Sequence, residues 1–488
     1  MFCITISIGH SAFAQSTIRV SVTHDGGEPD RPSDYPSVSY DGHMVAFHSD
    51  ATNMVMAPGN GWFQIYRRDL YEQTTEIMSI NAQGEVGNAD STNPSISSDG
   101  QEIAFQSWAQ NLVPDDTFFT HDVFLRERHT HEIILISVAS DGTRGNGNSS
   151  EPAMAGDGRL IAFTSRADNL VANDLNEASD IFVHERYLGR TRRVSVSSAG
   201  VEGDGPSSSP EVSPDGRYVV FVSGAENLVN YDGNGREDVF LHDLESRQTT
   251  MITFSVLPKM LGGQIHAPSI SIFGYYATFS SSLSNLVAGD QNGMWDSFVW
   301  AMPPLGNLRR ASVTSGGIAA NGTTFHTSIC TLWRFIAFSS DANNLSTEDD
   351  NDVFNVFVHD QIRGRTSLVS VGMDGQPANG DSNGLSTYPG TRWMSAHGRF
   401  VAFNSLADNL VPDDDNEIMD LFVRDRGESN DFDADGVTNH RDLQYFLQCA
   451  GGPERRLGFG CNVFDADLDQ DTDLQDFASF QNAFTGGY

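Results

Sequence analysis

The sequence predicts an all-β fold: a seven-bladed β-propeller closed by its own N-terminal strand, with a small α-helical module behind it. Three observations carry the prediction. An aromatic anchor recurs at Phe47, Phe105, Phe163, Phe221 and Phe279, each 58 residues after the last, and again at Phe338 and Phe403. A second aromatic follows each anchor at a constant distance of 19, at Tyr66, Phe124, Phe182, Phe240, Phe298, Phe357 and Phe422. Within each copy the apolar residues fall into short runs split by Gly, Pro and Asp turn signals, the pattern of strands and not of helices. A repeat of this length is one supersecondary unit, and four-stranded units in series stack as blades because a lone blade cannot bury both faces.

The copy at 210–254 gives the elements in order. Strand one is predicted over 210–213, closed by the turn Pro214-Asp215-Gly216. Strand two, 217–222, is nearly continuous in Tyr, Val and Phe and is expected to be buried on both faces. After the Asn227-Leu228-Val229 loop come strand three, 238–244, and strand four, 249–254. The centre of strand four is Ser79, Ser137, Ser195, Thr253, Ser312 and Ser370 in six copies, but the seventh ends at Arg424-Asp425-Arg426 without it. The missing strand is at the other end of the chain. Residues 18–22 match Arg193-Val194-Ser195-Val196, and Ser21 lies 58 before Ser79, so the N-terminal strand should complete the last blade and remove its open edge.

Residues 1–14 do not fit the repeat. A short apolar run over 2–8 and the small-x-small Ala12-Phe13-Ala14 before Gln15 read as an export signal, although no Lys or Arg precedes the run. A secreted, periplasmic or cell-surface location is expected. The net charge of −36 argues against nucleic acid and anionic membrane as partners, and no stretch has the roughly 20 apolar residues of a membrane span. Four cysteines are too few for a disulfide scaffold; Cys449 and Cys461 flank one short loop and are able to pair after export, whereas Cys330 sits in an apolar strand-one position.

The phrase Pro210-Glu211-Val212-Ser213-Pro214-Asp215-Gly216-Arg217, with Asp238-Val239-Phe240 and their equivalents, resembles the TolB-like propeller repeat. The resemblance covers residues 15–426 and does not extend to the additional N-terminal α/β domain of TolB. It implies a binding platform or a non-catalytic partner of other domains.

The repeat offers its own test of function, because a catalytic or ligand-specific residue should break the symmetry. His184, His242 and His359 share one slot with Arg68, Arg126, Trp300 and Arg424, which points to strand-face packing and not to a metal ring. Glu185, Asp243, Asp360 and Asp425 are expected to start the turn from strand three to four. The loops Asp174/Asn176/Asp180, Asp232/Asn234/Asp238, Asp290/Asn292/Asp296 and Asp414/Asn416/Asp420 place oxygens at alternate positions, as Ca²⁺ requires. Blade one lacks the pattern and blade two keeps only Asp116 and Asp122, so Asx-turns are the favoured reading. Genuine symmetry-breakers are Lys259, Met260, His266, Trp295, Trp300, Tyr388, Arg392 and Trp393, the candidates for a ligand surface. No Gly-x-Ser-x-Gly elbow, phosphate loop or His-Glu-x-x-His is present, and no catalytic residue is assigned.

At Gly427 the composition changes. Asp431, Asp433, Asp435, the Val437 carbonyl, Asn439 and Asp442 occupy positions 1, 3, 5, 7, 9 and 12 of a calcium loop, with Gly436 at its sharp turn. Thirty-four residues later Asp465, Asp467, Asp469, Asp471, Asp473 and Asp476 repeat it. Each loop leads into helically spaced apolar residues, Leu443/Phe446/Leu447 and Phe477/Phe480/Phe484, so the two helices are able to share a small core. Residues 427–488 resemble a type I dockerin, an EF-hand-like module, which implies a calcium-folded adaptor docking onto a cohesin-like receptor. Gln470 replaces the second loop's glycine at a strain on the order of 1 kcal/mol. His440-Arg441 in one half and Leu474-Gln475 in the other stand where the receptor contacts are expected.

The reading is therefore an exported, non-catalytic binding or assembly protein, whose propeller takes a glycan or protein ligand and whose tail docks with Ca²⁺. The alternative is a secreted polysaccharide-degrading glycosidase or lyase attached through the same tail, which would need paired carboxylates at the axial channel.

Overall fold

The computed structural model describes residues 16–427 apart from 57–58, 115–119, 234, 254–262, 291, 305, 350 and 384–391, together with residue 443. The predicted export segment and calcium-loop tail, including the Cys449/Cys461 pair, lie outside the described residues, as do Lys259, Met260 and Tyr388.

Six antiparallel four-stranded sheets span 33–77, 91–135, 149–193, 207–251, 265–310 and 324–368, each with its strands in sequence order. The seventh joins Phe400–Ser405 and Asp420–Asp425 to Ser16–Arg19 from the chain start. The architecture is a seven-bladed propeller, and the first strand does close the last blade: Ser16 pairs with Asp425 and Arg19 with Phe422. Among the described residues no helix is long and apolar enough to cross a membrane.

The two aromatic anchors are directly opposed partners on strands two and three, Phe163 with Phe182 and Phe221 with Phe240. Their rings lie 5.6–6.1 Å apart where parallel, as at Phe279/Phe298 and Phe338/Phe357, and are fully buried. The constant spacing of 19 is thus the length of one hairpin between two facing rings. Strand two is buried at all six positions in blade four, Tyr218–Ser223, because neighbouring blades cover both faces.

Two boundaries differ from the sequence reading. Strand four is shorter, Thr249–Met251 in blade four, and its hydroxyl residue lies beyond the ladder. Thr253 Oγ1 donates to Asp238 Oδ1 (2.6 Å) and accepts the Val239 N–H (3.1 Å), tying the end of strand four to the start of strand three. Ser137 with Asp122, Ser312 with Asp296 and Ser21 with Asp420 repeat the contact. Strand one is longer, Ser207–Val212, because a bulge between Ser208 and Glu211 absorbs Pro210. Proline donates no ladder hydrogen bond, so a bulge is where it fits.

Blade seven departs here. Ser382 bridges Ser405 and Met394 bridges Val401, twelve residues apart against five between the equivalent Ser207 and Val212. The difference, 12 − 5 = 7, equals the excess of the Phe338-to-Phe403 spacing over 58, so the additional residues fall between Ser382 and Met394 in the sequence.

Around the axis, turns between strands one and two are stitched by main-chain hydrogen bonds. Tyr40 N donates to Ser98 O, Ser98 N to Gly156 O and Gly156 N to Pro214 O. The series resumes as Ile272 N to Thr331 O, Leu332 N to Ala396 O and Ala396 N to Tyr40 O. It skips one step because Pro214 has no N–H to give. Gly42 in one such turn adopts φ +88°, and a Cβ there would stand 2.2 Å from the Phe400 ring of blade seven.

Candidate functional site

Strand one of blades one to six lines the axis, and its bulge sets what faces the channel. The residue before the bulge proline adopts a left-handed conformation at Tyr35, Asn93, Glu151 and Ser209 (φ 54–57°), and His326 does so ahead of Thr327. The proline slot holds Pro36, Pro94, Pro152, Pro210, Pro268, Thr327 and, in blade seven, Arg392. The next slot holds Ser37, Ser95, Ala153, Ser269 and Ser328, but Glu211 in blade four and Trp393 in blade seven. Arg392 and Glu211 meet. Arg392 Nε lies 2.7 Å from Glu211 Oε1 and Nη2 donates to Val212 O, linking blades on opposite sides of the ring. Glu211 is buried, and desolvation raises its pKa although Arg392 opposes the shift.

On the face where strand one begins, blade one presents Asp34, Tyr35 and His48. Asp34 Oδ1 accepts the Tyr35 N–H (2.7 Å) and Asn404 Nδ2–H, yet burial pushes its pKa up to about 6. The His48 ring packs 4.6 Å from Tyr35 and 5.0 Å from Phe63, and burial holds its pKa down at about 3. It is therefore neutral at pH 7 and part of the wall. In blade three Glu151 Oε2 accepts Thr164 Oγ1–H (2.7 Å) and the Ser209 N–H (2.8 Å), a bond to the next blade.

Blades five and six supply an aromatic cluster on the same face. His266 stacks on Trp295 at 4.9 Å and 12°, Trp295 lies 5.4 Å from Phe325, and Phe325 lies 5.9 Å from Phe354. His266 is exposed, and Trp295, Phe325 and Phe354 are half-buried. Two predicted members of a ligand surface are corrected. Trp300 and Trp393 are only 7% and 5% exposed and belong to inter-blade cores, because their slots point into the sandwich between sheets. Arg392 is at the axis, and its guanidinium is committed to Glu211.

The repeated histidines are structural, as their recurrence suggests. Nδ1 of His184, His242 and His359 lies 2.9 Å from Oγ1 of Thr191, Thr249 and Thr366 on strand four. Asp243 and Asp360 do start turns, accepting the N–H groups of Glu245 and Ile362. In the acidic loops Asn176, Asn292 and Asn416 form Asx-turns to the N–H groups of Ala178, Met294 and Ile418. Asn234 and Asp116 lie outside the described residues.

Two groups, Asp174/Asp180/Glu202 and Glu28/Asp414/Asp420, bring three carboxylates within 4.8 Å. An arginine from strand four already stands in each. Arg193 Nη1 lies 3.2 Å from Asp174 and 3.1 Å from Asp180 and also pairs with Glu202. Arg19 reaches Glu28 (2.8 Å) and Asp414 (3.3 Å), and Arg310 repeats the arrangement at Asp290 (2.8 Å) and Asp296 (3.3 Å). A divalent ion would have to displace the guanidinium. Burial nevertheless raises Asp174 and Asp414 to about 6.

Sequence reasoning missed Glu211, Asp34, His48 and Phe325. A slot-by-slot comparison would have found Glu211, the lone acid in its register; Asp34 and His48 become a site only through burial.

No family model matches the sequence, and no curated protein matches it. Solved structures match in fold. An oligogalacturonate lyase in complex with manganese shares 12% identity at a TM-score of 0.49, covering 84% of this chain and 96% of that one. The β-propeller domain of the Trilobed protease from Pyrococcus furiosus shares 10% identity at 0.48, covering 81% and 93%. A putative TolB from Agrobacterium tumefaciens shares 17% identity at 0.36, covering 57% and 80%. These likenesses concern the fold alone.

Proposed function

We propose that the chain is an exported binding or assembly protein, whose propeller receives a glycan or protein ligand on the face where the strand-one segments begin. The observation that supports this is the His266/Trp295/Phe325/Phe354 cluster, which leaves aromatic surface beside the axis. Stacked, partly exposed aromatics offer faces to a sugar ring or an apolar side chain at little entropic cost. Residues 427–488 act as the calcium-dependent docking module, held by Asp431, Asp433, Asp435, Val437, Asn439 and Asp442 in the first loop and by Asp465 to Asp476 in the second, with a cohesin-like receptor as partner. Glycan-array binding and a secreted-protein pull-down with the full chain test the propeller reading. The Trp295→Ala variant should lose the captured ligand while melting within a few degrees of wild type; ligand retained by that variant refutes it.

A second reading, a polysaccharide-degrading enzyme, has one observation in its favour. Asp34 is a carboxyl with a pKa of about 6 at the channel mouth, suited to proton transfer near neutral pH. The strand-one carboxylates of two other blades are already committed, Glu211 to Arg392 and Glu151 to Thr164 and Ser209. Assay of acidic and neutral polysaccharides with wild type and Asp34→Asn decides between the two.

A further inference from the structure

The face that carries the Trp295 cluster holds a second set of rings. The residue before strand three is Phe63, His121, Trp295 and Phe354 in blades one, two, five and six, but Ser179, Glu237 and Met419 in the other three. Aromatics required for packing would recur in every blade, as the strand anchors do, so this asymmetry points to a ligand. Half-buried His121 lies 3.8 Å, centroid to centroid, from Trp108, which is 40% exposed. Phe63 packs 5.0 Å from His48 and follows Trp62, 49% exposed. Blades one and two therefore form one aromatic arc, and the cluster of blades five and six forms another across the axis. Blades three and four separate them on one side and blade seven on the other.

Around the axis mouth, between the arcs, stand amides, hydroxyls and carboxylates. Gln106 accepts the Glu151 N–H (2.9 Å) and donates to Thr92 Oγ1 (3.0 Å). Asn404 Oδ1 accepts the Asn383 N–H (3.0 Å), and its Nδ2–H goes to Asp34. A carboxylate offers about four acceptor sites, so Asp34 and Glu151 keep capacity for hydroxyl donors. Rings beside such groups match a sugar, which presents a C–H face to the ring and hydroxyls at its edge.

Charge narrows the class. The second and third positions of strand one, the residue after strand two and the residue before strand three hold five carboxylates, Asp34, Asp50, Glu151, Glu237 and Asp341, against one arginine, Arg166. His121 adds no positive charge at pH 7, because burial holds its pKa down at about 4. A polyuronate or sulfated chain would approach against this field and against the net charge of −36.

We propose that this face takes an uncharged polysaccharide, one chain gripped by the Trp108/His121 and His266/Trp295 arcs and crossing the axis mouth between them. The proposal rests on the reading of the propeller as a ligand platform, and adds the class of ligand and a second point of grip.

Affinity electrophoresis of the full chain in native gels tests it, with hydroxyethylcellulose, galactomannan and β-glucan as uncharged probes and polygalacturonate and alginate as charged ones. At least one uncharged probe should retard wild type, and about 0.5 M salt should leave the retardation unchanged, since no charge pair is there to be screened. Trp108→Ala and His121→Ala should each weaken binding about five- to tenfold, the scale of one stacked ring, as should Trp295→Ala. Thermal melting within a few degrees of wild type shows that each variant is folded. Retardation by the charged probes alone, loss of binding in salt, or full affinity in both Trp108→Ala and His121→Ala overturns this inference while the platform at Trp295 stands. Retardation by no probe also overturns it; if a secreted protein is then captured through Trp295 the wider reading survives, and capture of nothing ends both.

Discussion

Arg392 Nε reaches Glu211 Oε1 at 2.7 Å although 181 residues separate them, and this ion pair ties blade seven to blade four through the axis of the ring. Both residues replace small or ring-constrained ones at most of the equivalent positions, so among the described residues the brace exists once in the repeat.

Removing one partner leaves the other charge buried. Arg392→Met is expected to destabilise the protein by about 3–5 kcal/mol, while the double R392M/E211M variant recovers most of the loss because no charge remains to desolvate. Urea unfolding of the four proteins of the cycle measures this. Equal losses in the single and double variants would remove the brace from the account.

Closure of the ring depends on residues 16–22. Val20 N donates to Leu421 O at 2.7 Å, and Ser21 Oγ both accepts the Leu421 N–H at 2.9 Å and donates to Asp420. A chain starting near Gly26 exposes the edge of Asp420–Asp425 and should melt well below wild type. Ser21→Ala alone should cost about 1–3 kcal/mol, by leaving buried Asp420 and Leu421 groups less satisfied. Unchanged melting of the shortened chain would mean that the blade does not need its first strand.

Two buried groups give opposite pH dependences. His48 has its pKa depressed from 6.5 to about 3, so its contribution is whole above 6.5 and is lost as pH falls toward 3. The slope is at most about 1.4 kcal/mol per pH unit. Asp34 is raised from 3.8 to about 6, so its contribution is whole below 3.8 and declines as pH rises through 6. His48→Gln should therefore gain stability relative to wild type on acidification, and Asp34→Asn should gain it on going from acid to neutral pH. Urea midpoints across that range check both signs, and parallel curves for wild type and either variant would contradict the assigned shift.

Calcium should bind the tail unequally. Asp431→Ala, in the loop that keeps Gly436, is expected to abolish most of the heat of Ca²⁺ binding to the full chain, whereas Asp465→Ala in the Gln470 loop should cost less. At a free concentration about 100 times Kd one site adds roughly 2.7 kcal/mol. No heat of binding by wild type, after EDTA treatment, would end the dockerin-like reading.

The sequence by itself determined the ring: seven copies, four strands in each of the first six, and the strand that the seventh borrows from the start. It could do so because facing aromatics and turn residues are local, repeated requirements that every blade must meet. It also placed the recurrent histidines and the Asx-loops correctly, since recurrence marks a packing role. The tertiary structure alone decided what the exceptions do. Trp295 and Trp300 are equal exceptions in the sequence, yet one stacks on exposed His266 and the other disappears into the core, because slot parity relative to the neighbouring blade sets which side is covered. Glu211 and Arg392 look like unrelated departures until the ring brings opposite blades to one axis. Arg19, Arg193 and Arg310 put a guanidinium inside acidic loops that resemble cation sites, a result of which strand lies beside which loop. Such pairings depend on distances closed only when the last blade meets the first.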